Sequence, residues 1–407
     1  MMKTMLDKVF IAAAYRTPIG KFGGALRDFT PNDLAAELFR KLFKKIGLEP
    51  AAVDQVHLGC CTQCAANEGV APIIARQALL KAGIPHTALS STVDRACTSG
   101  TYALKTGFDA IRLGEAEVVL AGGAEVMSRT PYLDRATRYG ARIGKVSLED
   151  PLFPLGYLDY SPVAVDAGVV ALEYGVTREM QDQWAYASQM KYQAAKGQGK
   201  WAEEILPVDV PRKKELLSMT EDEFPKADTT LENLTRLPTV FGSATVTAGN
   251  APGLNDGATV LVLAGERGLK KIGLTPLAEI IGFEFVCGKP DRIAEVPGFS
   301  IKNLLEKNKL ALEDIECVEI NEAFAAMPLV SSIVLGRHSS LSLEAIRAKI
   351  NVNGGSVAIG HPVGITGARI VVTLLHELRR RKGGYGVAAI CGGLAQGDSV
   401  LIKVLPR

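Results

Sequence analysis

The chain has 407 residues, of which 47% are hydrophobic and 22% are charged, and its formal net charge is +2. This balance is typical of a globular protein with an ample core, and it argues against a nucleic-acid-binding surface. No apolar run approaches the roughly 20 residues that span a bilayer. The length predicts two or three domains, or one fold built from repeated halves. Seven cysteines, an odd number, favour reduced thiols and a cytoplasmic location.

Short β-branched runs alternate with amphipathic helices along the chain. KVFIAAA (8–14) predicts a first strand rather than the core of a signal peptide. NDLAAELFRKLFKKIG (32–47) predicts a helix capped near Asn32 or Asp33, and VDQVHLG (53–59) predicts a second strand. EAEVVLAGG (115–123) and YGVAAICGG (385–393) predict strands that run into paired glycines. The alternation indicates βαβ units and a largely parallel sheet.

The middle of the chain differs from both ends. Residues from about 128 to 244 are rich in charge, aromatic side chains and proline, which predicts an inserted domain of helices and loops. VTAGNAPGLNDGATVLVLA (246–264) then returns to strand-like apolar residues. Long insertions on a sheet scaffold usually form binding surfaces.

An internal repeat links the two ends. KIGLEPAAVDQVHLG (45–59) aligns without a gap on KNKLALEDIECVEIN (307–321). In the same order, the segment 99–123 resembles 366–393, with three extra residues in the connecting turn. Each copy of the second pair is a helix, a turn, an apolar strand and Gly-Gly. The repeat predicts two structurally similar halves.

The sequence GCCTQC places Cys60, Cys61 and Cys64 together. A C-x-x-C pair is compatible with zinc, but the chain has no second pair and no His-x-x-x-His to complete four ligands. We therefore predict no metal site and interpret these cysteines as small residues at the end of a strand.

Cys97 in VDRACTSGTYALKTGF lies at the start of a predicted helix, where the helix dipole is expected to lower its pKa and favour a nucleophile. The stretch NVNGGSVAIGHPVGITGARI (351–370) surrounds His361 with five glycines, which let other backbone or a ligand approach closely. The repeat brings His361 near the start of the Cys97 helix. Predicted strands deliver Asn321 and Cys391 to the same sheet edge, where ligands bind in α/β proteins.

This constellation resembles the thiolase family over essentially the whole chain. The motifs RTPIGKFGGAL, CTSG, GGAEVMS, REMQDQWA, DEFPK, VTAGNAPGLNDGA, EINEAFA, GHPVGITGAR and CGGLAQG carry the resemblance. It implies an α/β fold with two similar halves in a five-layer αβαβα core. The implied bounds are 1–127 plus 245–273 for the N-terminal half, 128–244 for a coenzyme A-binding loop domain and 274–407 for the C-terminal half. It also implies homodimers or homotetramers.

The resemblance implies the following roles. Cys97 is the nucleophile that carries the acyl group, His361 takes its proton, and Cys391 exchanges the α-carbon proton. Asn321, through a water, forms one oxyanion hole with His361, and the backbone N–H groups of Cys97 and Gly393 form the other. The implied reaction is reversible thiolysis of 3-ketoacyl-CoA or condensation of acyl-CoA with acetyl-CoA.

Coenzyme A is implied as a co-substrate, with no permanently bound cofactor. The residues predicted to contact it are Lys226, Gly249, Ala251 and Phe324. Three departures from the family pattern leave the acyl chain length open. Leu394 and Ala395 replace glycines after Gly393, Pro252 replaces a common serine, and Val163 and Ile293 replace methionines expected near the acyl pocket.

Three other functions are weaker. A nicotinamide dehydrogenase would need the G-x-G-x-x-A match in GYGVAA (384–389) to join a strand to a helix, but it precedes a strand. A catalytically silent acyl-CoA-binding subunit would not need Cys97, His361 and Cys391 together. A β-ketoacyl synthase usually carries a histidine or asparagine where this chain has Cys391.

Overall fold

The computed structural model describes residues 7–67, 71–152, 157, 159–212 and 215–404. Within these residues a ten-stranded mixed sheet runs in the order β10-β11-β12-β9-β1-β8-β5-β3-β4, and β2 pairs with β8 beside this path. The strands are β1 (Val9–Arg16), β2 (Gly20–Lys21), β3 (Gln55–Gly59), β4 (Leu89–Val93), β5 (Val118–Val126), β6 (Val208–Arg212), β7 (Glu215–Met219), β8 (Asn255–Ala264), β9 (Ala278–Cys287), β10 (Ile315–Ile320), β11 (Gly384–Gly392) and β12 (Gln396–Val404).

The helices lie on both faces of this sheet and in the insertion. They are α1 (Pro31–Ile46), α2 (Ile74–Lys81), α3 (Ser99–Arg112), α4 (Val163–Glu173), α5 (Arg178–Gly197), α6 (Leu231–Thr235), α7 (Glu266–Ile272), α8 (Val296–Lys307), α9 (Ala326–Gly336), α10 (Leu343–Lys349), α11 (Ser356–Ile359) and α12 (Val363–Arg380). In the part of the chain that is described, no helix is long and apolar enough to cross a membrane.

The two-residue period of β5 creates the layers of the first half. Val118 and Leu120 pack into one buried cluster with α1 and α2, whereas Val119 and Ala121 pack into another with α3 and α12. Successive strand residues point to opposite faces, and every residue of β5 is buried, so β5 is covered on both sides. The central layer of the molecule is therefore formed by α3 and α12.

The second half repeats this arrangement. Ala388 and Ile390 of β11 join the cluster around α3 and α12, while Val387 and Ala389 join a cluster with α8. Three residue pairs between β1 and β9 join the sheet of the first half to the sheet of the second half, so the two form the continuous ten-stranded sheet. Helices, sheet, helices, sheet and helices give the five-layer αβαβα core expected from the sequence.

The repeat read from the sequence corresponds to matching elements. β3 and β5 are parallel neighbours with α3 between them in the chain, and β10 and β11 are parallel neighbours with α12 between them. The prediction of a largely parallel sheet is wrong, because β1, β8, β9 and β12 all pair in antiparallel fashion. A short turn between β11 and β12 permits only an antiparallel return.

The structure adds detail to two local predictions. Asn32 and Asp33 lie in the first turn of α1, and the N-cap is Thr30, whose side chain accepts a hydrogen bond from the backbone N–H of Asp33 (3.2 Å). Pro31 occupies the first helical turn, where its missing N–H has no cost. The insertion contains the β6–β7 hairpin as well as the predicted helices and loops.

A fully buried arginine ties the insertion to the first strand. Arg16 Nε lies 2.5 Å from Glu204 Oε1, and its Nη1 lies 2.6 Å from Asp222 Oδ1. Removing either carboxylate would leave part of a buried charge unpaired, which is strongly unfavourable. The division into 1–127 plus 245–273, 128–244 and 274–407 stays a prediction, while β8 (Asn255–Ala264) lies within the first half's sheet between β1 and β5.

Candidate active site

The site is built where the first turns of α3 and α12 meet. A Cβ on Gly100 would lie 2.8 Å from the backbone nitrogen of Ala368, and one on Gly367 would lie 2.7 Å from that of Thr101. Only glycine permits such close backbone contact between the two helices. Cys97 lies two residues before α3, and His361 lies two residues before α12. The repeat thus brings the two N-termini together, as the sequence predicted.

Cys97 is partly buried in the turn between β4 and α3. Burial raises the pKa of Cys97 to about 12, and the negative charges of Glu125 and Asp94 add to this, while a backbone hydrogen bond lowers it in part. The expected lowering of this pKa by the helix N-terminus is wrong as a net effect, because desolvation outweighs it. The Cys97 thiol therefore holds its proton at neutral pH.

His361 is buried, and its hydrogen bonds set its tautomer. Its Nδ1 is 2.8 Å from Thr366 Oγ1, and that hydroxyl donates to the Pro362 carbonyl at 2.8 Å. The Thr366 hydroxyl therefore accepts from Nδ1–H, which leaves Nε2 with a lone pair. Burial lowers the pKa of His361 to about 3, with a contribution from Arg369. The imidazole is neutral at rest and can accept a proton at Nε2.

The backbone of His361 is also fixed. Its N–H donates to Asn255 Oδ1 at 2.9 Å. The preceding Gly360 has φ +110°, and a Cβ there would lie 2.6 Å from Cγ of Asn255. A side chain at residue 360 would therefore displace the amide that holds His361.

Asn321 follows β10 and is fully buried beside the imidazole. Ser356 Oγ donates to Asn321 Oδ1 at 2.6 Å, and Arg369 Nη2 donates to Ser356 Oγ at 2.8 Å. This network assigns the amide orientation, because the oxygen is already used as an acceptor. The amide nitrogen then faces Nε2 of His361 at 3.5 Å. Asn321 Nδ2 and His361 Nε2 thus lie side by side and can face the same acceptor atom.

Cys391 is the second-to-last residue of β11, directly before Gly392 and Gly393, and it is fully buried. Burial raises its pKa, and a charge on Cys97 raises it further. Cys391 lies beside the turn that contains Cys97. A Cβ on the next residue, Gly392, would lie 2.9 Å from Thr98 Cγ2, and the two thiols are close enough to interact electrostatically. At neutral pH Cys391 holds its proton and can act as an acid.

Gly393 begins the turn between β11 and β12. A Cβ there would collide with the hydroxyl of Tyr157, so a larger residue would require the Tyr157 side chain to move. Leu394 and Ala395, which replace glycines, adopt φ +60° and +55°. The turn therefore keeps the left-handed geometry that glycine would favour, at a modest conformational cost.

Two buried glutamates that the sequence analysis did not assign hold the site loops. Glu125 Oε2 accepts from the backbone N–H groups of Cys61 (2.9 Å) and Gly364 (2.7 Å), so it joins the loop after β3 to the start of α12. Glu322 accepts from Trp184 Nε1 (2.8 Å) and Asn351 Nδ2 (2.9 Å), and so joins the insertion to the loop before His361. Both lie in quoted motifs, GGAEVMS and EINEAFA, which offered a signal for them.

The residues predicted to contact coenzyme A lie at separate points around the site. Lys226 is exposed, with its Nζ 5.8 Å from the Phe224 ring centroid. A Cβ on Gly249 would lie 2.5 Å from Leu234 Cδ2, next to α6 of the insertion. Ala251 and Phe324 belong to the apolar cluster that contains Cys391.

Val163 and Ile293 belong to this same apolar cluster. The sequence reasoning that linked both residues to an acyl pocket is thus consistent with their place in the cluster that contains Cys391.

The GYGVAA segment (384–389) lies inside β11, so it forms no phosphate-binding turn. The three cysteines of GCCTQC follow β3, and Cys61 lies under the Cys97 turn, where its Sγ is 3.1 Å from the Ala96 carbonyl.

A thiol, an imidazole and a second protonated thiol on an αβαβα scaffold define a site for acyl transfer. Family models described as the thiolase N-terminal domain and the thiolase C-terminal domain match residues 9–267 and 274–404. The chain belongs to the thiolase family, and it is an acyltransferase.

Similar proteins cover nearly the whole chain. Mitochondrial 3-ketoacyl-CoA thiolase of Bos taurus is 40% identical over 98% of this chain and 99% of its own length. The crystal structure of Bacillus anthracis acetyl-CoA acetyltransferase superposes with a TM-score of 0.91 at 38% identity, covering 98% and 99% of the two chains. Human mitochondrial 3-ketoacyl-CoA thiolase in complex with CoA gives 0.90 at 38% identity, covering 98% of each.

Proposed function

We propose that the protein catalyses reversible thiolytic cleavage of 3-ketoacyl-CoA, or condensation of an acyl-CoA with acetyl-CoA, through an acyl group on Cys97. The observation that supports the proposal is the close packing of the N-terminal parts of α3 and α12, because Cys97 and His361 each lie two residues before one of these helices. The names of the similar 3-ketoacyl-CoA thiolases and acetyl-CoA acetyltransferases support both directions.

In the thiolysis direction Cys97 attacks the keto carbon of the substrate. Its proton passes to Nε2 of His361 as the sulfur–carbon bond forms, because the thiol is neutral at rest. The carbonyl oxygen becomes an oxyanion, which the backbone N–H groups of Cys97 and Gly393 stabilise. The neutral thiol and imidazole are thus replaced by an oxyanion and an imidazolium, and the two backbone N–H groups stabilise the oxyanion.

Cleavage of the bond between the keto carbon and the α-carbon leaves the acyl group on Cys97 and its electrons on an enolate. The thioester oxygen of this enolate receives hydrogen bonds from protonated Nε2 of His361 and, through a water, from Asn321. Cys391, which its raised pKa keeps protonated at neutral pH, donates its proton to the α-carbon. Coenzyme A then gives its thiol proton to the Cys391 thiolate, and its sulfur attacks the acyl-Cys97 thioester. Cys97 leaves as a thiolate that takes back the proton held by His361, and acyl-CoA is released. Condensation follows the same steps in reverse.

Coenzyme A is proposed as a co-substrate that the insertion holds, and no permanently bound cofactor is invoked. Gly249 lies against α6 of the insertion, and Ala251 lies in the apolar cluster with Cys391, so the pantetheine arm can run between them. Lys226, which is exposed on the insertion, is proposed to lie near the coenzyme phosphates.

Replacing Lys226 with alanine is expected to raise the Michaelis constant for coenzyme A by about two- to fivefold at low salt and less at moderate salt, because an exposed charge pair is weak and screened. Lys200→Ala provides a control, since Lys200 Nζ is bonded to Asn353 Oδ1 (2.9 Å) in the structure. An unchanged Michaelis constant in Lys226→Ala at both salt concentrations would refute the contact.

Assembly and location are also proposals. Leu89 on the edge strand β4, together with Tyr139 and Ile143 in the insertion, leaves large apolar side chains exposed, which supports a homodimer or homotetramer. Light scattering of the purified protein that gives the monomer mass would contradict this.

The seven cysteines are unpaired, which supports a reducing compartment such as the cytoplasm, and fractionation of cells tests this location.

The decisive experiment combines substrate range with the site of acylation. We expect coenzyme A-dependent cleavage of at least one member of a 3-ketoacyl-CoA ladder, and the preferred chain length then defines the pocket lined by Val163 and Ile293. Labelled acetyl-CoA should leave its acetyl group on Cys97, detected by peptide mass spectrometry. Binding of acyl-CoA without turnover would indicate a silent subunit instead. A label on Cys60 or Cys64 would disprove the nucleophile.

A further inference from the structure

The residue before Cys97 has a backbone conformation that residues other than glycine rarely adopt. Ala96 has φ +50°. Its carbonyl oxygen accepts hydrogen bonds from the Ser99 backbone N–H (3.0 Å), from Ser99 Oγ (2.6 Å) and from Cys61 Sγ (3.1 Å). The left-handed turn is thus held at its carbonyl from two directions, by the helix that follows it and by the loop after β3.

Holding this carbonyl also fixes the N–H of Cys97. In a trans peptide the C=O of one residue and the N–H of the next lie in one plane and point in opposite directions. The direction of the Ala96 carbonyl therefore determines the direction of the Cys97 N–H. That N–H is one of the two oxyanion donors in the function proposed above, on which this inference rests.

Cys61 is suited to hold the carbonyl. Its backbone N–H donates to Glu125 Oε2 at 2.9 Å, and the same oxygen accepts from Gly364 N at 2.7 Å, so the residue is anchored to the start of α12. Burial, and then the charge of Glu125, raise the pKa of Cys61 well above its usual value. The thiol keeps its proton at neutral pH and remains a donor.

The donor assignment follows from the neighbouring hydroxyl. Ser99 Oγ gives its single proton to the Ala96 carbonyl and accepts from the Arg95 backbone N–H at 2.8 Å. Cys61 Sγ, which is also 3.4 Å from Ser99 Oγ, is left to donate to the Ala96 carbonyl. Two side chains from different parts of the chain thus converge on one oxygen atom.

We propose that Cys61 is a positioning residue for the reaction, whose S–H group aims the backbone N–H of Cys97 at the substrate oxyanion. The second cysteine of GCCTQC thereby has a role that neither metal binding nor simple packing supplies. Its effect acts through the peptide bond between Ala96 and Cys97, not through the Cys97 sulfur.

The test compares two reactions of Cys97, one that forms an oxyanion and one that does not. Acetyl transfer from acetyl-CoA passes through an oxyanion, whereas alkylation by iodoacetamide displaces iodide at a saturated carbon. Cys61→Ala is expected to slow acetyl transfer by about two- to tenfold, the range for one hydrogen bond, and to leave alkylation unchanged. Rates are measured per folded site, with the modified peptide identified by mass spectrometry.

Three further variants make the result specific. Cys61→Ser retains a donor and should recover most of the lost rate. Ser99→Ala removes the second donor to the same carbonyl and should repeat the selective loss. Cys64→Ala, in the same loop, should match the wild type, because no contact of Cys64 with the Ala96 carbonyl occurs among the described residues.

Several outcomes would overturn the proposal. Unchanged acetyl transfer in Cys61→Ala would do so, and so would equal slowing of acetyl transfer and alkylation, which would indicate an effect on the thiol or the fold. A Cys61→Ser variant as slow as Cys61→Ala would refute hydrogen-bond donation. If the wild type places no acetyl group on Cys97 at all, the proposed function itself fails, and this result is distinct from the others.

Discussion

Replacing Cys97 with serine is expected to lower thiolysis by on the order of 10⁴-fold or more, because a reaction that depends on a covalent intermediate loses its main route with its nucleophile. A hydroxyl is far harder to deprotonate than a thiol. An alkoxide is also a poorer leaving group than a thiolate, so transfer of the acyl group onward to coenzyme A would be slower still. Steady-state thiolysis and acetyl labelling should fall together, while circular dichroism reports an intact fold.

A second cysteine-to-serine exchange serves as the matched control. Cys64 is partly buried near the same site but makes no contact with the α3 or α12 turns in the hydrogen bonds of the described residues. Cys64→Ser should retain near wild-type turnover. If Cys97→Ser keeps more than about a tenth of the activity, or if Cys64→Ser loses as much, Cys97 is not the nucleophile.

The sequence predicted most of the scaffold because its signals were redundant. The apolar runs of β5 and β11 require cover on both faces, and the same helix–strand order recurs in both halves. The repeat then located the site, since it placed Cys97 and His361 at equivalent helix starts. No pattern in the sequence specified strand direction, so the antiparallel pairings of β1, β8, β9 and β12 were missed.

The electrostatic state of the site could not be predicted in the same way. A helix N-terminus lowers a thiol pKa, but desolvation raises it, and the balance depends on how completely the site is enclosed. For Cys97 the enclosure prevails, and its pKa rises to about 12. The roles of Glu125 and Thr366 likewise depend on contacts between residues far apart in sequence or around a turn, which single-residue patterns do not reveal.

Replacing Cys391 with alanine is expected to separate the two halves of the reaction. Cys391 is proposed to exchange the α-carbon proton, so its loss should lower thiolysis and condensation by about 10²–10⁴-fold, the range for general acid–base catalysis. Acetyl transfer from acetyl-CoA onto Cys97 requires no α-proton and should survive. His361→Ala should impair both processes, because His361 is proposed to accept the Cys97 proton and also to bind the substrate oxygen. Burst labelling with radioactive acetyl-CoA, measured beside steady-state thiolysis, distinguishes the two variants.

The control for burial is Cys317, a fully buried cysteine on β10, the strand that pairs with β11. Burial raises its pKa as it does that of Cys391, yet it lies in the cluster around α3 and α12 and is not assigned to the reaction. Cys317→Ala should therefore retain thiolysis to within a fewfold, and any loss of stability should appear in the melting temperature.

If Cys391→Ala abolishes labelling as completely as His361→Ala while the fold stays intact, Cys97 and Cys391 do not have the separate roles proposed for them. Cys391 would then act on the nucleophile rather than on the α-carbon.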